Sequence, residues 1–189
     1  MSKVKVQGHA SGSGVLTVTA PNTSSDRTIT LPDATGTLLN SDGDGSSLTG
    51  ITAGWSQGCE VKLSGNLAVA TTTNTKITFD TETFDSGGNF ASNTYTCPSD
   101  GKYFIMLRTC IAASVDATRY QSWIDINGSY SGIFAESDPG TNGTVGHMCT
   151  GIEDLSTSDT IEAYVWHAAG STKNISSGET SLAIYKIGT

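Results

Sequence analysis

The residues able to do chemistry fall into small groups along the chain. Acidic side chains cluster at Asp80/Glu82/Asp85, Glu136/Asp138 and Glu153/Asp154. Two such carboxylates could serve glycoside hydrolysis, one as acid and one as base or nucleophile. Turns and solvated strand faces account for these clusters better, and a capsule-digesting enzyme would need a longer chain to build its groove. The three histidines, His9, His147 and His167, belong to no HExxH-type ligand pattern. Cys59, Cys97, Cys110 and Cys149 form no CxxC pair, so zinc has little support and buried thiols are expected. Asp42 and Asp44 before Gly45 resemble a calcium loop, but the downstream glutamate is missing. Gly12-Ser13-Gly14 is not a nucleophile elbow. The sequence therefore predicts a protein with no catalytic residues, no metal site of its own and no cofactor.

The elements that hold these residues follow from composition. The 189 residues include 28 Thr, 24 Ser and 22 Gly, and only 15% are charged. Thr is stiff at its branched β-carbon and suits strands, while Ser and Gly supply turns. The net charge of -8 argues against a phosphate backbone as partner, more so if the chain trimerises. No apolar run is long enough to span a membrane. The opening MSKVKVQGHASGSG has no apolar stretch of the secretory type, so synthesis in a cytoplasm without export by the secretory route is expected.

Two pieces are expected. Residues 1–52 lack aromatic side chains and contain short alternating runs at 15–19 and 28–31, too little to build a core alone. They are assigned as an attachment and shaft segment ordered by neighbouring chains, with residues 40–50 as a linker. Residues 53–189 form the head. Strands are expected at Glu60–Leu63, Lys76–Phe79, Tyr95–Cys97, Lys102–Ala112, Tyr120–Ile126, Gly146–Ile152, Thr160–His167 and Ser181–Ile187, separated by turns such as Asn127-Gly128 and Asp138-Pro139-Gly140. That spacing predicts an all-β sandwich of jelly-roll type. The runs at 103–112 and 181–187 are apolar on both faces, which predicts that the outer face of one sheet packs on copies of itself. Tyr103, Ile105, Leu107, Tyr185 and Ile187 are assigned to that interface.

The stretch 77–111, with Thr96-Cys97-Pro98-Ser99-Asp100-Gly101-Lys102-Tyr103-Phe104 at its centre, resembles the globular heads of the complement-q family. Ser158-Asp159-Thr160-Ile161 and Ser181-Leu182-Ala183-Ile184-Tyr185 continue the likeness, although Ser158 replaces the usual Gly and no collagen stem is present. The resemblance implies the ten-strand jelly roll shared with tumour necrosis factor, and a homotrimer. It also leaves open a calcium ion on the trimer axis, as in some related heads, without indicating ligands. Residues 12–43, with Leu31 to Thr37 as the core, resemble a segment of phage tail-fibre proteins. Together these imply a virion fibre, held by other virion proteins through residues 1–52 and recognising a host-surface glycan or protein with its head. The alternative is a capsid-decorating spike without a receptor.

For the receptor site, alternation in 120–126 and 161–167 puts the aliphatic side chains on one face and Trp123, Tyr164 and Trp166 on the other. The outward reading makes these three a sugar-stacking patch; the alternatives are that a neighbouring subunit covers them, or that the faces are reversed and they fill the core. The loops around Asp138 and Asn142 are the next candidates.

Overall fold

The computed structural model describes residues 57–115 and 117–188, together with Ser11 and Ser24. By internal contacts the chain divides into Met1–Leu48 and Thr49–Thr189, and the account below concerns the second unit. The expected boundary at residue 52, the short runs at 15–19 and 28–31, the linker and Asp42/Asp44 lie outside the described residues.

Thirteen strands build two antiparallel sheets, with no helix among the described residues. Sheet A contains β1 (Gly58–Lys62), β2 (Leu67–Val69), β4 (Thr81–Ser86), β7 (Gly101–Ser114), β10 (Gly143–Leu155), β12 (Lys173–Ile175) and β13 (Ser181–Gly188). Sheet B contains β3 (Thr75–Lys76), β5 (Phe90–Ala91), β6 (Thr94–Thr96), β8 (Tyr120–Ile126), β9 (Ser129–Ser137) and β11 (Thr160–His167). The long strand β7 is central in sheet A. It carries β10 along one edge, and β13 and β12 on different stretches of the other. In sheet B, β11 pairs with β8, and β8 with β9. This is a jelly-roll sandwich. Its strand count exceeds ten because five of the stretches are two or three residues long.

The core lies between the sheets. Ile105, Leu107 and Ile111 of β7 and Leu182 and Ile184 of β13 face Ile124, Ile161, Ala163 and Val165 of sheet B, all at most 1% exposed. Here the expected interface is corrected: Tyr103, Ile105 and Leu107 are fully buried inside the single chain. Tyr103 packs edge-on against Tyr95 and donates its hydroxyl to the Ser99 carbonyl at 2.6 Å. Both parities of β7 are apolar, so alternation alone could not choose between them. The structure turns Phe104, Met106 and Arg108 outward instead, and leaves Tyr185 half-buried and Ile187 exposed.

One polar chain crosses the core. Thr109 Oγ1 meets Ser122 Oγ at 2.7 Å, Ser122 Oγ meets His147 Nδ1 at 2.9 Å, and His147 Nε2 meets Ser137 Oγ at 2.9 Å. It ties β7 and β10 of one sheet to β8 and β9 of the other. Burial lowers the affinity of His147 for a proton, and the charge of Glu136 opposes this only in part. A histidine kept neutral by the fold stabilises above the ordinary histidine pKa, and that contribution is lost as pH falls below about 6.5. His147→Gln is therefore expected to flatten the thermal-midpoint profile between pH 6.5 and 5, where the parent declines. Parallel profiles for the two proteins would remove His147 as the cause.

Candidate functional site

Strict alternation in β8 and β11 decides which side chains leave the sandwich. Tyr120, Ser122 and Ile124 point inward, as do Ile161, Ala163, Val165 and His167, all at most 1% exposed. Gln121, Trp123 and Asp125, and Glu162, Tyr164 and Trp166, therefore stand on the outer face of sheet B. Tyr164 lies directly opposite Trp123 in the β8–β11 register, and their rings stack with centroids 5.6 Å apart and planes 13° apart.

The third strand extends this surface. Asn127 and Gly128 both take positive φ, 52° and 70°, which makes the two-residue turn and returns the chain as β9. The β8–β9 register jumps between Trp123 and Asp125: Asp125 faces Tyr130, and Trp123 faces Phe134. The two extra residues are taken up around Gly132, at φ 88°. Tyr130 and Phe134 thus rise beside Trp123, edge to face with each other at 6.0 Å, and are 58% and 45% exposed. The result is a groove of about 680 Å³ lined by Asn74, Gln121, Trp123, Asp125, Tyr130, Phe134 and Tyr164.

Polar groups set the electrostatics. Trp123 Nε1 donates to Asp125 Oδ1 at 2.9 Å. Burial raises the Asp125 pKa; the Trp123 hydrogen bond lowers it and nearby Glu162 raises it further. Glu162 is held below the ordinary carboxylate range, first by its hydrogen bond from Lys76 at 2.8 Å. Its other oxygen accepts from Tyr164, whose phenol is pushed up to about 12, mainly by burial.

Of the residues expected at a receptor site, the structure brings Trp123 and Tyr164 together. Trp166 shares their outer face but lies outside the groove lining, with the Arg119 guanidinium 5.2 Å above its ring. Asp138 and Asn142 are exposed in the β9–β10 connection and do not line the groove. Tyr130, Phe134, Asp125, Gln121 and Asn74 were missed. The Asn127-Gly128 turn was the available signal, since a two-residue turn of that type implies a second strand after it.

Four of the seven carboxylates raised as catalytic candidates have structural partners. Asp85 accepts from the Asn89 and Phe90 amides, Asp80 from Ser64, and Asp154 from Lys102. Glu136 accepts from Gln121. All four cysteines are free and buried, and burial raises each thiol pKa, to about 12 for Cys97 and about 11 for Cys110 and Cys149. Among the described residues no three His, Cys, Asp or Glu come together as metal ligands.

No protein-family model matches the chain, and no curated protein sequence does either. Among solved structures, the globular domain of the zebrafish complement 1qA protein superposes with a TM-score of 0.52 at 12% identity. The match covers 69% of this chain and 97% of that one. The fold is therefore the complement-q type of jelly roll, as residues 77–111 led one to expect.

Proposed function

We propose that this chain is a non-catalytic fibre protein of a bacteriophage virion. It is a homotrimer, attached to the particle through residues 1–52, and its head meets the host surface. The observation that carries the trimeric, ligand-binding part of this reading is the contrast between the two outer faces of the sandwich. On sheet A, Phe104 and Met106 face outward, and the registers set Ile152 and Tyr185 beside Phe104, and Ala183 beside Met106. Met148 and Ile152 there are 61% and 59% exposed, and Phe84 packs on Tyr185 with centroids 5.6 Å apart. A face of this composition suits other copies of the same sheet. Sheet B instead offers a groove with hydrogen-bonding groups, as a ligand site requires. The likeness of residues 12–43 to tail-fibre segments supports the virion assignment.

The test is immunogold labelling of intact particles with antibody against residues 57–188. Label at the tail supports a fibre, and label spread over the capsid supports the decorating spike. Particles carrying none overturn both.

A further inference from the structure

The groove on sheet B has a lining that narrows its ligand. Four aromatic side chains, Trp123, Tyr130, Phe134 and Tyr164, alternate with Asn74, Gln121 and Asp125, and the described lining contains no aliphatic side chain. An apolar peptide side chain would find rings but no aliphatic pocket. A pyranose ring presents what this lining takes: a C–H face for the rings and equatorial hydroxyls for a carboxylate and two amides. The volume of about 680 Å³ falls within the span of small-molecule sites.

Charge narrows the class further. The described lining holds one carboxylate and no Lys or Arg. The two cations that the described residues place on this face are engaged elsewhere: Lys76 bonds Glu162 and Thr94, and Arg119 sits over Trp166 and 3.9 Å from Glu136. A sialic acid or uronate would bring its carboxylate toward Asp125 with no cation among these side chains to receive it. A neutral sugar meets no such repulsion. Asp125 has one oxygen on Trp123 Nε1, and its other oxygen is the natural acceptor for sugar hydroxyls.

We propose that the outer-face groove of sheet B binds neutral pyranosides, with Trp123, Tyr130, Phe134 and Tyr164 as stacking surfaces and Asp125 as the hydroxyl acceptor. The proposal deepens the host-recognition part of the fibre reading and rests on it for the biological source of the glycan. Its test does not need the particle. The full chain is titrated with neutral hexose and N-acetylhexosamine oligosaccharides, and with sialylated and uronate-containing ones, by ligand-observed saturation-transfer NMR.

Neutral oligosaccharides are expected to bind, with affinity indifferent to salt, and anionic ones at least about tenfold more weakly. Asp125→Asn should lower neutral-sugar affinity about tenfold or more, the size of a charge-assisted hydrogen bond. Phe134→Ala, at a position 45% exposed, should lower it about three- to tenfold. Asp138→Ala, outside the groove, should leave it unchanged. Circular dichroism checks that each variant is folded. Preference for anionic sugars overturns the proposal, as does neutral-sugar binding indifferent to both Asp125→Asn and Phe134→Ala. Absence of any glycan binding also overturns it, while particle labelling still decides the fibre reading.

Discussion

Met106→Asp is expected to leave a folded monomer, and Ile105→Asp is expected to leave no folded head at all. The two residues are neighbours in β7, and each is apolar. Met106 stands on the outer face of sheet A beside Ala183, whereas Ile105 is fully buried between the sheets. An uncompensated carboxylate placed in the core costs several kcal/mol, comparable with the roughly 5–15 kcal/mol that holds a whole domain together. At Met106, half-buried on the outer face, the same carboxylate still reaches water in the single chain and is fully covered only where a second subunit packs on that face. Sedimentation equilibrium on the parent and on Met106→Asp, with circular dichroism on both variants, reads the difference. The parent should run as a trimer, Met106→Asp as a folded monomer, and Ile105→Asp should lose its β signal. A parent that sediments as a stable monomer, or a Met106→Asp variant that remains trimeric, removes sheet A as the interface.

That pair of neighbours also shows where the sequence ran out. In β8 and β11 the aliphatic residues share one parity and Trp123, Tyr164 and Trp166 the other, so the sequence offered an outward placement of these rings beside a reversed one, and the burial of Ile124, Ile161, Ala163 and Val165 selects the outward one. In β7 the run from Tyr103 to Ala112 offers apolar side chains at both parities. Only the packing of Tyr103 on Tyr95 and of Ile105 and Leu107 within the cluster settles which side is in. The strand β9 was illegible for a different reason. Its inward set is thin, with Ile133 as its one buried residue, and Gly132 interrupts it with a bulge. A strand of that kind draws its order from β8, and periodicity records a strand's own buried face only. Strand β4 carries Glu82 and Asp85 at the edge of sheet A, where acidic residues discourage further pairing but also disguise a strand as a loop.

The Pro98-Ser99-Asp100-Gly101-Lys102-Tyr103 block was legible as a motif, and the structure supplies its physical cause. Gly101 adopts φ 151°, and a Cβ built there would lie 2.4 Å from the Gly188 carbonyl oxygen and 2.5 Å from Lys186 Cε. The lysine could swing aside, but the carbonyl belongs to the end of β13 and cannot move without opening the β7–β13 ladder. Two residues on, the Tyr103 hydroxyl reaches back to Ser99 and closes the turn. Gly58 repeats the arrangement on the other edge of β13, at φ 153° with the Ile184 carbonyl oxygen 2.2 Å from a built Cβ. Strand β13 is thus gripped from both sides by glycines that let backbone approach backbone. Gly101→Ala and Gly58→Ala should each cost about 2 kcal/mol or more, because strained φ and lost ladder bonds add. Tyr103→Phe should cost only about 1 kcal/mol, the net value of one hydrogen bond. Gly65→Ala, with nothing within 4 Å of a built Cβ, should stay within about 0.5 kcal/mol of the parent. Urea denaturation of the four variants measures this order. A Gly101→Ala protein as stable as Gly65→Ala would mean that the end of β13 yields freely, and the ladder would then not be what fixes the motif.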